Sequence, residues 1–404
     1  MSGRLTLAYR LAAAGGWLAF VWATTHWYSW QQTIDLLFGS DAQEYETIAK
    51  AAPGFPDQAL PSQHANRFVP HYLVGLGSDA FRIGDRHLYY VCAFILLLAI
   101  LVVLDRLLRP FRLDRIEWAL CIGALITNPY LYRFLALAPG RLADSVFIIG
   151  GALALLGLLR ASPWLLVGGL VVATLGRSES VFSLAVLAPI GVLVSPDWRP
   201  LPRGRRWSSA AASLLVPLGV YGLIVIADDS FSRRDHPGFW GLTIFGDLRD
   251  LPGSAGTIGL HGSRVVIGVV GAAALIVGAL VARRLARTPG KLPLAFWASL
   301  VAGIAVSGEA LILSPGFIHG NSPLLSALGA VFFVVAAGAA LQAWTLSLRA
   351  GVVGVVGLAV VSLHHRFSTI SPVSTPGRYA GLAAIAALGV AVAVAVGARP
   401  RRPV

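Results

Sequence analysis

Charge is what this sequence has least of. Of its 404 residues only 13% are charged, where an ordinary soluble protein carries roughly 25%. Lysine is almost missing: Lys50 and Lys291 are the only two, so the formal net charge of +13 is arginine charge. Cysteine is reduced to Cys92 and Cys121. Both fall inside apolar runs, one near the outer end of its segment and the other near the inner end of the next. That placement excludes a disulfide between them and a shared thiolate metal site. Internal repeats, low-complexity tracts and linker-like stretches are missing too, so nothing marks a second soluble domain. The N-terminal apolar run follows Arg4 and Arg10 but is long, Trp-rich and without a small-residue cleavage site, so it reads as a retained anchor rather than a signal peptide.

What is present is hydrophobicity, at 56% of residues with a mean hydropathy of +0.73. Apolar runs of near-membrane length recur from end to end, which defines an all-α, polytopic integral membrane protein. The expected spans are 11–30, 88–108, 116–137, 144–159, 164–175, 181–194, 208–227, 265–282, 292–313, 324–344, 351–363 and 379–398. That is a bundle of about twelve transmembrane helices, or ten if short segments dip in without crossing. The fifth, sixth and eleventh are shorter than the roughly 20 residues an upright span needs.

Arginine distribution sets the orientation. Arg4 and Arg10, Arg106 to Arg115, Arg160, Arg199 to Arg206, Arg283 to Lys291, Arg349, and Arg399 to Arg402 alternate with the remaining loops. A basic excess of this kind marks cytoplasmic loops, not nucleic-acid binding, and it places both termini in the cytoplasm. The opposite face receives a long first loop, 31–87, with seven carboxylates against four basic residues, and a second long loop, 228–263. Shorter loops add Arg141, Arg177, Glu179, His319 and the pair His364-His365. Polar and basic chemistry gathered on one non-cytoplasmic face predicts a site there.

The first loop opens with a predicted juxtamembrane helix over 40–52. Ser40 and Gln43 stand at capping-box spacing, while Ala42, Tyr45, Ile48, Ala49 and Ala52 form an apolar face that ends at Pro53-Gly54. Asp41 and Glu44, three apart, share another side. Two readings of Asp41 stay open: a first-turn acid that complements the helix dipole, or a functional carboxylate.

The stretch Asp41-Ala42-Gln43-Glu44-Tyr45-Glu46-Thr47-Ile48-Ala49 resembles the first extracytoplasmic loop of the GT-C superfamily of membrane glycosyltransferases. It is most similar to the lipid A aminoarabinose transferases and protein O-mannosyltransferases. Asn66-Arg67-Phe68-Val69-Pro70-His71-Tyr72, Arg141-Leu142-Ala143-Asp144-Ser145, Arg177-Ser178-Glu179 and Gly377-Arg378-Tyr379 are similar to later charged turns of that superfamily. The chain departs from it in having Ala42, not a second acid, after Asp41. The resemblance implies one GT-C-like transmembrane domain over 1–404 in a bacterial inner membrane, with the active site facing the periplasm or exterior. Asp41 and Glu44 are then the catalytic carboxylates, and Arg67, Arg141, Arg177 and Arg378 the donor-phosphate ligands. Tyr45, His71, Tyr72, Asp144, Glu179, Glu309 and His319 would support them.

The chemistry has its own logic. Moving a sugar from a polyprenyl phosphate needs a base for the acceptor hydroxyl and a cationic grip on the departing phosphate. Guanidinium forks suit the second task. A single displacement without a covalent sugar–enzyme intermediate inverts the anomeric centre. The implied partners are a polyprenyl-phosphate-linked sugar, a lipid or glycan acceptor and membrane lipid. Cofactor status stays open: two acids three apart on a helix can hold a divalent ion. Equally open are the readings of Arg141 and Arg177 as headgroup anchors, and of Asp144 and Glu179 as their ion-pair partners. The rival functions are a twelve-helix secondary transporter and an envelope-polysaccharide polymerase or acyltransferase. Against the transporter, the longest loop follows the first span, and the connection between the sixth and seventh is short.

Overall fold

The structure is a computed structural model, and it describes residues 6–29, 41–178, 182–229, 231–233, 255–286, 291–312, 321–342, 344–363, 367–370 and 376–400. The elements in order are α1 (Leu7–Ala23), α2 (Asp41–Ala51), β1 (Leu60–Pro61), α3 (Ser62–Ala65), α4 (Phe68–Phe81), α5 (Asp85–Leu108) and α6 (Arg115–Ile126). A π-helical turn (Pro129–Arg133) leads to α7 (Phe134–Leu137), α8 (Leu142–Leu159), α9 (Pro163–Gly176), α10 (Phe182–Val194), α11 (Arg203–Asp228) and β2 (Ser232–Arg233). The remainder is α12 (Ala255–Leu285), α13 (Leu294–Ile312), α14 (Asn321–Leu341), β3 (Trp344–Leu346), α15 (Leu348–Leu363), α16 (Pro376–Gly397) and β4 (Ala398–Pro400).

Every predicted apolar segment carries a helix, but the helices are unequal. Among the described residues five are long and apolar enough to cross a membrane: Asp85–Phe111, Leu142–Leu159, Arg203–Ala227, Ser263–Leu285 and Gly377–Gly397. The count reaches six when Arg115–Ile126 and Pro129–Leu137, bent by 44°, are taken as one span. Of the other apolar helices, α1, α9, α10 and α15 have 17, 14, 13 and 16 residues, while α13 and α14 run to 19 and 21 residues, of which Leu294–Glu309 and Ser326–Leu341 are the apolar parts described in full. Of the about twelve crossings expected from the sequence, five or six helices qualify by length and composition among the described residues. Hydropathy registers an apolar run without registering where a helix breaks, and Pro129 is one such break.

The described chain forms two compact units. One comprises Met1–His26, Leu104–Phe134 and Asp247–Val404. Its centre is α14, without a polar face and buried from Ser326 to Leu341, as expected of a helix enclosed by others. It packs on α12, α13 and α6. Trp17 of α1 donates from Nε1 to the Ala119 carbonyl at 3.0 Å, and Gly123 leaves room for its ring: a Cβ there would lie 2.5 Å from the indole. Buried Arg133 donates to the Thr24 carbonyl (2.5 Å), the Phe367 carbonyl (3.2 Å), Thr24 Oγ1 (3.0 Å) and Ser362 Oγ (2.9 Å). Those bonds pin the π-helical break to α1 and to the end of α15.

The other unit comprises Trp27–Val103 and Leu135–Gly246. Its spine is the α8–α9 hairpin. Gly150 and Gly169 face the opposing backbone so closely that an added Cβ would meet it at 2.2 and 2.3 Å. Small residues let two apolar helices approach until their backbones touch, which is how helices pack where water supplies no driving force. The amphipathic α2 lies on α4 by the same means. Gly75 of α4 sits against the Ala49 carbonyl, and Tyr45, Ile48 and Ala49 are buried, as the predicted apolar face requires. The parallel pairing of β1 with β2 ties the α2–α4 connection to the end of α11.

Candidate functional site

Of the site residues predicted from the first loop, Glu44, Tyr45, Arg67 and His71 lie together in the unit that contains the α8–α9 hairpin. Tyr45, one turn into α2, is turned inward by the helix's apolar stripe. Its ring stacks on the imidazole of His71 from α4, with centroids 3.9 Å apart and planes 10° from parallel. Arg67, at the N-terminal end of α4, donates to the Tyr45 hydroxyl at 3.3 Å. Tyr89 of α5 completes the group: its hydroxyl donates to the Tyr45 carbonyl at 3.1 Å and lies 3.0 Å from His71 Nδ1. His71 is fully buried. Burial, with the charges of Arg67, His64 and Arg141 in support, pushes its pKa well below the usual histidine range, so it is neutral at physiological pH.

Beside this stack, Glu44 contacts His64 of α3 as an ion-pair partner, and the Tyr45 ring meets the His64 ring edge-on at 5.4 Å. Glu46 reaches Lys50 at 3.0 Å and Arg86 at 3.3 Å. Burial alone would raise the Glu46 pKa, but the two cations outweigh it and hold the carboxyl below its usual value. Tyr72 faces the other way, donating to the Pro53 carbonyl at 2.6 Å within an aromatic group that includes Phe55, Phe68 and Phe231.

Two further arginines come from the hairpin. Arg141 precedes α8 and Arg177 follows α9, so an antiparallel pair brings both to the same end. Asp144, in the first turn of α8 where the helix dipole favours a carboxylate, accepts from Arg177 at 2.6 Å and lies 3.8 Å from Arg141. Arg67, Arg141 and Arg177 are 2%, 7% and 0% exposed, which is rare for arginine unless its charge is engaged. The Ser178 hydroxyl donates to the Asn66 carbonyl at 3.2 Å and joins the end of α9 to the turn before α4. Charges from Arg67 and Arg141 both reach His71.

The helix predicted over 40–52 spans Asp41–Ala51, so Asp41 opens it; the side chain of Asp41 lies outside the described residues, as do Ser40, Glu179, His319 and the His364-His365 pair. Arg378, exposed at the start of α16, and Glu309, half-buried on α13, belong to the other unit. Among the described residues no three His, Cys, Asp or Glu side chains are grouped to hold a metal ion. Sequence reasoning missed His64, Tyr89 and Arg86. His64 follows Glu44 by twenty residues across an irregular segment, with no spacing that would pair them. Tyr89 sits in an apolar run that reads as membrane helix and nothing more.

No protein-family model matches the chain, and no curated protein does. Among solved structures, the single-particle cryo-EM structure of the arabinofuranosyltransferase AftD from Mycobacteria is similar at 14% identity and a TM-score of 0.46. The alignment covers 100% of this chain and 28% of that one, so this chain spans little more than a quarter of that protein's length. A likeness at that level carries neither residues nor activity across.

Proposed function

We propose that the protein is an inverting membrane glycosyltransferase of GT-C type. It takes a sugar from a polyprenyl-phosphate donor and places it on a cell-envelope glycan or lipid at the extracytoplasmic face. The observation that carries this reading is the gathering of Arg67, Arg141 and Arg177, all buried, around the α2–α4 contact at the helix that Asp41 opens. Buried guanidiniums in one place suit a phosphate, and the reading assigns Asp41, the first residue of α2, the role of base. In the reaction the acceptor's hydroxyl oxygen attacks the anomeric carbon and its proton passes to Asp41. The anomeric C–O bond breaks, and its electron pair stays on the phosphate oxygen, where arginine charge stabilises it.

The test is to incubate purified protein with a panel of labelled polyprenyl-phosphate sugars and a membrane lipid extract. Label in a new product from at least one donor is the expected result. A protein that leaves every donor intact while moving one across a vesicle membrane unchanged is a transporter, and the proposal falls.

A further inference from the structure

His71 carries an asymmetry that the stack on Tyr45 does not explain. A phenol has one proton to donate, and Tyr89 gives its own to the Tyr45 carbonyl at 3.1 Å. With that proton spent, the same oxygen, 3.0 Å from His71 Nδ1, takes the acceptor role, which assigns His71 the Nδ1–H tautomer by hydrogen-bond pattern. Nε2 is then a bare lone pair. It is buried and has no hydrogen-bond partner among the described residues. A buried acceptor left unmatched is a costly and uncommon feature of a folded protein, and it calls for a ligand or a role.

The surroundings narrow what that ligand presents. Arg67, Arg141 and the imidazole of His64 act on His71 electrostatically, so a bound anion is favoured close by. The lone pair on Nε2 repels an anionic oxygen and accepts only from a donor hydrogen. A ligand that satisfies both carries an anionic group and, next to it, a hydroxyl. Building on the glycosyltransferase reading, we propose that His71 Nε2 accepts a hydrogen bond from the donor-sugar hydroxyl adjacent to the phosphate, making His71 a specificity-determining residue. Tyr45 and Tyr89 hold the ring and its tautomer in place.

The experiment measures binding to full-length protein in detergent with three probes: farnesyl phosphate, farnesyl-phosphoryl mannose and its 2-deoxy analogue. Wild type is expected to bind the mannose probe at least about 10-fold more tightly than the deoxy analogue, the worth of one buried hydrogen bond. His71→Asn keeps a donor for Tyr89 and deletes the Nε2 acceptor, so it should bind the two sugar probes equally and farnesyl phosphate as wild type does. His71→Gln, which returns an acceptor oxygen near the Nε2 position, should recover part of the discrimination. If the two sugar probes bind wild type equally, or if His71→Asn weakens all three probes alike, His71 is only structural and the inference is overturned while the phosphate reading stands. If wild type binds none of the three, the phosphate reading itself falls and takes the inference with it. A pattern of nitrogen-15 shifts showing Nε2, not Nδ1, protonated in the unliganded protein would overturn it independently of any probe.

Discussion

The residue on which the proposed chemistry turns is Asp41. Asp41→Asn keeps size and capping capacity and removes only charge and basicity. A general base lost in this way lowers transfer by about 10²–10⁴-fold with donor binding intact. An acid that merely complements the dipole costs about 0.3–1 kcal/mol of stability and leaves turnover per folded molecule unchanged. Single-turnover rates on purified, folded protein separate the two outcomes. Asp144 makes a different prediction, because it lies between Arg141 and Arg177 with all three out of water. Asp144→Ala strands buried positive charge and should cost about 3–5 kcal/mol in chemical denaturation. Glu46→Gln, whose partners Lys50 and Arg86 are exposed, should cost under about 1 kcal/mol. Tyr45, Arg67 and His71 were legible because a helix stripe and a short charged turn announce them within one loop. The Glu44–His64 contact and the Tyr89 bond were not, since both are made by tertiary packing between segments that have no shared period.

Helices α8 and α9 show what an element can and cannot disclose of itself. Their apolar length is plain in the sequence, and so is the short turn that makes them antiparallel neighbours. Glycines are plentiful here, and the sequence does not say which ones face a backbone. Gly168 and Gly169 are adjacent, yet a Cβ on Gly168 meets nothing within 4 Å while one on Gly169 lies 2.3 Å from the Ala154 amide nitrogen. Gly168→Ala should therefore be neutral or stabilising by up to about 1 kcal/mol, since it removes only backbone freedom from a helix. Gly169→Ala should destabilise by about 1–3 kcal/mol or force the hairpin apart. Thermal unfolding midpoints of the two variants in one detergent check the pair, and equal midpoints would contradict the close approach. Because Arg141 and Arg177 hang from the far ends of this hairpin, spreading it also separates the Asp144 ion pairs. Gly169→Ala should then lose phosphate binding along with stability, which Gly168→Ala should not.

For the whole molecule the decisive question is which face of the membrane the arginine cluster occupies. Two long helices give the physical frame. At about 1.5 Å per residue, α11 runs far enough to separate Arg203, Arg205 and Arg206 at its start from Asp228 at its end. Likewise α5 separates Asp85 from Arg106. Both carry their arginines at the end assigned to the cytoplasm, and both place the opposite end towards the loops that hold Asp41, Arg67 and His71. Positive loops are retained inside because translocating them is unfavourable, so the orientation is testable without knowledge of any substrate. In a background with Cys92 and Cys121 replaced by alanine, single cysteines at Ser62, Ser254 and Ser322 should react with an impermeant thiol reagent added to intact cells. A cysteine at Ser208, in the first turns of α11, should react only after the cells are opened. Labelling at Ser208 with silence at Ser62 would put the arginine cluster at the cytoplasmic face and overturn the extracytoplasmic placement of the proposed reaction.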